Sequence, residues 1–177
     1  MAKYSRQKVN SLFRESDGAT DNNVKGRALE DLICYLIETV PGVSVTTRNT
    51  LNSFASEEID IAFWNEQKRN GFSFLPRILL TECKNWSSAV GSSEVSFFAQ
   101  KLKHRGLDHG ILIASNGITG SPEDLRSAHH QITMALSERL HILVVTREEI
   151  QKLAATEDLV MLFKKKLTQL AVAGTIF

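Results

Sequence analysis

The chain has 177 residues, 42% of them apolar and 23% charged, and a formal net charge of +1. This is the composition of a globular domain long enough to bury a core. It excludes a chain drawn to nucleic acid by bulk charge alone, and no apolar run approaches the ~20 residues that cross a bilayer.

Residues 1–20 are polar and lack a sustained period, so they are expected as an N-terminal arm or short helix outside the core, leaving 21–177 as a single domain. The opening "MAKYSRQKVNSLFRESDGATDNN" has no apolar block after its basic residues and is not expected to act as a secretory signal. Cys34 and Cys83 lie far apart inside apolar patterns, which fits buried thiols in a reducing compartment. A cytoplasmic location without membrane contact is therefore expected. Beyond the arm, Leu29, Leu32, Ile33, Leu36, Ile37 and Val40 form one stripe of an amphipathic helix. Asp21 to Asn23 offer its N-cap, and Pro41-Gly42 stops it.

Three strands are expected next. "VSVTTRNT" (43–50) is rich in β-branched residues. "EEIDIAFW" (57–64) alternates, with Ile59, Ile61 and Phe63 on one face and Glu58, Asp60 and Ala62 on the other. "RILLTECK" (77–84) follows a reversal around Asn70-Gly71. A helix over 92–105 carries Val95, Phe98 and Leu102. The nearly all-apolar "HGILIAS" (109–115) reads as a strand buried on both faces. Ser121-Pro122 is expected to open a helix running to about 138, "HILVVT" (141–146) is a second buried strand, and Thr146 with Glu149 is a capping box into a C-terminal helix. The last segment aligns Leu159, Leu162, Phe163, Leu167 and Leu170. The fold class is α/β. The order αβββαβ, plus a further helix, strand and helix, predicts a mixed central sheet flanked by helices. Its early strands form an antiparallel meander, and 109–115 and 141–146 are parallel neighbours.

The chemistry concentrates at residues 81–86, "TECKNW". Residues two apart on a strand share a face, so Glu82 and Lys84 project together and Thr81 and Cys83 project oppositely. If 57–64 and 77–84 pair as a hairpin, one register sets Asp60 beside Glu82. Two adjacent carboxylates repel unless a cation holds them, and a hard divalent ion such as Mg²⁺ takes oxygen ligands of this kind. Lys84 would orient or help deprotonate a water at that ion and stabilise charge on a phosphate. Glu30 lies at the edge of the first helix's buried stripe, from which it could reach the same site as a further or water-mediated ligand. On residue types alone, an ordinary cross-strand Glu–Lys surface pair accounts for the same letters.

The basic stretches, Lys3 to Arg14 in the arm, "KLKHR" (101–105) and "KKK" (164–166), read as solvated faces. A phosphate-tracking role stays open for Lys101, Lys103 and Arg105. His129 and His130 diverge by about 100° on a helix, so they suit surface or edge positions better than one metal. Trp86 could stack on a base or simply pack.

With these residues in place, the chain resembles the PD-(D/E)xK nuclease superfamily, and within it the Mrr-like restriction endonuclease catalytic domains. The matching stretches are "KGRALEDLI" (25–33), "EEIDIAF" (57–63), "TECKNW" (81–86) and "HGILIASNGIT" (109–119), and the resemblance spans about 24–150. It implies a restriction-endonuclease-like core with Asp60 and Glu82 binding Mg²⁺, or Mn²⁺ in its place, Lys84 as the catalytic lysine and Glu30 as an accessory acid and metal ligand. Gln100 matches a position that often carries a polar residue facing the site, though a solvent-exposed glutamine reads equally well. Ile59 stands where the proline of the superfamily's name would be, which puts the subgroup in question. The implied activity is metal-dependent endonucleolytic cleavage of DNA of a restriction or defence type. Structure-specific cleavage of the Holliday-junction type and a non-catalytic nucleic-acid-binding subunit are the alternatives. One core carries one site, so cutting both strands calls for a homodimer or two encounters. Target choice is left to the arm, to surface loops or to a separate recognition or partner subunit.

Overall fold

The computed structural model describes residues 2–51, 57–120 and 127–175. In chain order the helices and strands are α1 (Arg6–Gly18), α2 (Asn22–Glu38), β1 (Val43–Leu51), β2 (Glu58–Asn65), β3 (Ile78–Lys84), α3 (Ser92–His104), β4 (His109–Ala114), α4 (Ala128–Ser137), β5 (His141–Val145), α5 (Arg147–Lys152) and α6 (Thr156–Ala173). The strands make one five-stranded sheet in the order β1-β2-β3-β4-β5. β1, β2 and β3 form the antiparallel meander, and β3, β4 and β5 run parallel. The two parallel steps cross over through α3 and α4. Both helices lie on the same face, as consecutive crossovers of one hand require.

The alternation of each strand divides the core in two. Ile61, Phe63, Leu79, Ile111, Ile113, Leu143 and Val145 pack under α1, α2 and the first half of α6. Leu80, Leu112, Ala114, Ile142 and Val144 pack under α3 and α4, with Ala62 partly buried among them. Burying both faces is what makes β4 and β5 read as unbroken apolar runs. Local chemistry sets the boundaries. Asp21 caps α2 by accepting from the Asn23 N–H at 2.6 Å. At α5 the side chains of Thr146 and Glu149 exchange bonds with each other's backbone N–H, a complete capping box. The expected Ser121-Pro122 helix start lies outside the described residues; α4 is capped by Ser127, whose side chain accepts from the His130 N–H.

Three expectations are corrected or extended. Residues 1–20 are not an arm outside the core: α1 lies against α2, and Tyr4, Val9 and Phe13 are buried in the first cluster. The helix's stripe is short and its polar face wide, so the apolar period is diluted. The β2–β3 connection is longer than the turn at Asn70-Gly71, which does form, the Gly71 N–H donating to the Lys68 carbonyl. It runs from Glu66 to Arg77 and buries Phe72 and Leu75, while the buried Asn65 amide donates to the carbonyls of Phe72, Leu75 and Pro76. The run 164–166 is not wholly solvated either, because Lys166 falls three residues after Phe163 and four before Leu170. It is therefore 1% exposed and ion-paired with Glu149 at 2.8 Å. Among the described residues no helix is long and apolar enough to cross a membrane.

Candidate active site

The β2–β3 ladder pairs Ile61 with Thr81, Ala62 with Leu80 and Phe63 with Leu79. The ladder ends at that first pair, and Asp60 comes next on β2, its carboxylate turned to the Cys83 N–H and close enough to Glu82 for the two charges to repel. Ile59 packs with Leu80 under α3 while Ile61 and Phe63 pack on the other side, so the alternation expected for β2 is not kept at this end of the strand. Cys83 packs against the first cluster. Burial first, and the nearby carboxylates second, push its thiol well above the usual range, so it is a neutral packing group.

Glu82 is 5% exposed, and each of its oxygens meets a lysine. Lys84 Nζ lies 2.7 Å from Oε1 and Lys101 Nζ 2.8 Å from Oε2. Burial works against the charge on Lys84, but the Glu82 charge and hydrogen bond together with Asp60 outweigh it, so its pKa is raised and it is held as an ammonium. Asp60 is half-buried and accepts from the Cys83 N–H at 2.7 Å, and no ion pair joins it among the described residues. Burial, then the Glu82 charge, raises its pKa from 3.8 to about 6. The pair is thus asymmetric: Glu82 is neutralised by side chains, and Asp60 is left under-compensated.

Glu82, Lys84 and Lys101 open into a cleft of about 320 Å³ that is also lined by Gln100, Phe97, Glu57 and Glu94. Gln100 is exposed at its mouth. Lys101 reaches the sheet because α3 sits very close to β4. A Cβ on Gly110 would come within 2.7 Å of both Leu102 and Phe98, so glycine is what admits the helix at this distance. Beyond Lys84 the chain is pinned. The Asn85 amide donates to Ser16 Oγ and the Lys25 carbonyl and accepts from Ser115 Oγ, tying β3 to the helices before it and to the end of β4. Trp86 follows, 41% exposed, with the Lys84 ammonium 5.8 Å from its ring centroid and its carbonyl held by Asn116.

The structure brings Asp60, Glu82 and Lys84 together, with Gln100 at the rim. It does not bring Glu30 to them. Glu30 is buried on α2, which covers the other face of the sheet. Its Oε2 accepts from Arg48 and from Asn49, each at 3.1 Å. Asn49 holds a left-handed φ of 48°, a conformation asparagine tolerates, in the strand from which its amide meets Glu30. Among the described residues no three His, Cys, Asp or Glu side chains are grouped to hold a metal ion. A hard divalent ion that relies on one or two carboxylates plus substrate oxygens nonetheless fits the pair Asp60 and Glu82, and the uncompensated Asp60 is what such an ion would relieve.

The basic stretch at the end of α3 is engaged in ion pairs. Lys101 turns inward to Glu82, Lys103 pairs with Glu138, and Arg105 bonds Glu57 at 2.5 Å and the Lys101 carbonyl at 2.9 Å. Lys101 and Asn85 are the participants that the sequence reading did not place at the site. For Lys101 a signal was present: it lies three residues after Phe98 and next to Leu102, at the edge of the helix's buried stripe. For Asn85 there was none, since its partners come from three separate elements. His129, expected near the surface, is 8% exposed on α4.

A family model of the Mrr catalytic domain, described as "Restriction endonuclease", matches residues 22–154. That is most of the chain, from α2 through α5, and it includes Asp60, Glu82, Lys84 and Lys101. No curated protein matches the sequence. The chain belongs to the Mrr-type restriction endonuclease family, its mixed five-stranded sheet flanked by helices is the restriction-endonuclease-like fold, and it is a nuclease of the restriction endonuclease type.

Proposed function

From that membership we propose that the protein is a divalent-metal-dependent endonuclease that hydrolyses phosphodiester bonds in DNA at the cleft between β3 and α3. Asp60 and Glu82 would hold the metal, and Lys84 would act on the reacting phosphate. The observation that carries the reading is an under-compensated Asp60 within electrostatic reach of a Glu82 that is locked to Lys84. A carboxylate in that position costs stability unless positive charge arrives, which is the signature of a binding site.

When bound, Mg²⁺ or Mn²⁺ supplies positive charge against the phosphate oxygens. The chain's own groups do the remainder. Lys84, held as an ammonium, suits the stabilisation of charge that builds on the phosphate, a role for which a neutral amine is useless. The Asn85 network fixes the strand end, so the ammonium is presented in one place. Gln100 at the cleft mouth offers an amide to a phosphate or sugar oxygen. Glu30, engaged by Arg48 and Asn49, acts through its hold on β1 and enters the metal shell only if those bonds break. A single cleft of this kind makes one cut, so double-strand cleavage requires two copies or two encounters.

The test is cleavage of plasmid DNA and branched DNA with Mg²⁺, with Mn²⁺ and with EDTA, comparing the wild type with Lys84→Ala and Glu82→Ala. Metal-dependent nicking or cutting that both substitutions abolish is the expected result. Activity that survives both would overturn the assignment of the site.

A further inference from the structure

Glu82 has a lysine on each oxygen, and the two arrive from different elements. Lys84 stands two residues along the same strand, whereas Lys101 reaches down from α3. Asp60, on the neighbouring strand, has the Cys83 N–H and, among the described residues, no ion-paired cation. A divalent ion shared by the two carboxylates needs a lone pair from each. Both oxygens of Glu82 already face ammonium groups at contact distance, so an ion arriving there meets like charge on either side. Release of one ammonium relieves that repulsion. Both lysines line the cleft, but Lys84 stands on the same strand as Glu82 and is the one that the proposed mechanism keeps at the phosphate. Lys101 comes from a separate element, α3, and carries its charge on a long stem beside Gln100 and Phe97.

We infer that Lys101 is a positioning residue of the metal site: in the metal-free protein it stands in for the cation on Glu82 Oε2, and it releases that oxygen to the metal when the DNA phosphate enters. The inference rests on the reading of Asp60 and Glu82 as metal ligands. It has two consequences. Metal alone binds weakly, because it must displace an ammonium held at contact distance on Glu82. DNA phosphate offers the displaced ammonium a strong acceptor, so metal and DNA strengthen each other's binding.

The experiment is a calorimetric titration of the full chain with Ca²⁺, a probe ion that leaves the DNA uncut, in the presence and absence of an oligonucleotide duplex. Wild type should bind Ca²⁺ weakly alone and about tenfold or more tightly with DNA. Lys101→Met should bind Ca²⁺ alone about tenfold more tightly than wild type and gain little from DNA. Lys101→Arg should restore the wild-type pattern. If circular dichroism shows that Lys101→Met does not fold, Lys101→Gln is titrated with the same expectations. Equal or weaker Ca²⁺ binding by the neutral variant would mean that Lys101 is only a strut for Glu82 and overturns the inference, provided that wild type binds and Glu82→Gln does not. If wild type and Glu82→Gln both fail to bind, with and without DNA, the metal-site reading itself falls, and this inference with it.

Discussion

Replacing Asp60 with asparagine should make the metal-free protein more stable while destroying its function. The wild-type carboxyl is half-buried beside Glu82, and its pKa rises from 3.8 to about 6. At ~1.4 kcal/mol for each tenfold change in proton affinity, that rise corresponds to ~3 kcal/mol of stability lost when the group is ionised. The sign follows from the direction of the shift. A carboxyl whose folded pKa lies above its unfolded one binds protons more tightly when folded. The cost is therefore absent below about pH 4, grows as the pH rises through the folded pKa, and is complete above it. The asparagine side chain carries no charge, and its amide oxygen can still accept from the Cys83 N–H, so the substitution removes the repulsion and leaves the bond. For a chain of this length ~3 kcal/mol is roughly 6–12 °C in melting temperature. Thermal unfolding in EDTA should show Asp60→Asn melting higher by that order at pH 8, with about half the free-energy advantage left at pH 5. Mg²⁺ should raise the melting temperature of the wild type and not of the variant. A variant that is equally or less stable at pH 8, or an advantage that does not change with pH, would refute the claim that Asp60 is an uncompensated charge.

Lys84→Ala should lower the cleavage rate by about 10²–10⁴-fold, read by single-turnover cleavage of a labelled duplex, and should also lower the melting temperature, because the buried Glu82 loses one of its two cations. Phe13→Ala should cost about 3–5 kcal/mol in denaturant unfolding, because α1 is part of the core; a loss under 1 kcal/mol would restore the picture of a dispensable arm. Asn65→Ala should destabilise by roughly 2–3 kcal/mol, since three carbonyls of the β2–β3 connection lose their shared donor. Gly110→Ala should push α3 off β4 and loosen Lys101 from Glu82, lowering both the melting temperature and the cleavage rate; a neutral outcome would show that the helix can shift at no cost.

Amino-acid order alone determined every strand of the sheet and the strands on which Asp60, Glu82 and Lys84 stand. The physical reason is local: alternation exposes or buries residues in pairs, all-apolar runs mark strands covered on both faces, and caps such as Thr146 with Glu149 act within one turn. What the tertiary structure decided is where charged side chains on helices go. Lys101, Lys103 and Arg105 look alike as letters in a basic run, but only Lys101 lies on the buried edge of α3 above Glu82, and that follows from how near Gly110 lets the helix come. Glu30 sits at the same kind of stripe edge on α2, yet α2 covers the opposite face of the sheet, and β1 presents Arg48 and Asn49 to it. Lys166 and α1 tell the same story, since their burial depends on partners more than a dozen residues away. Periodicity says which side of an element faces inward. Only the packed fold says what that side meets.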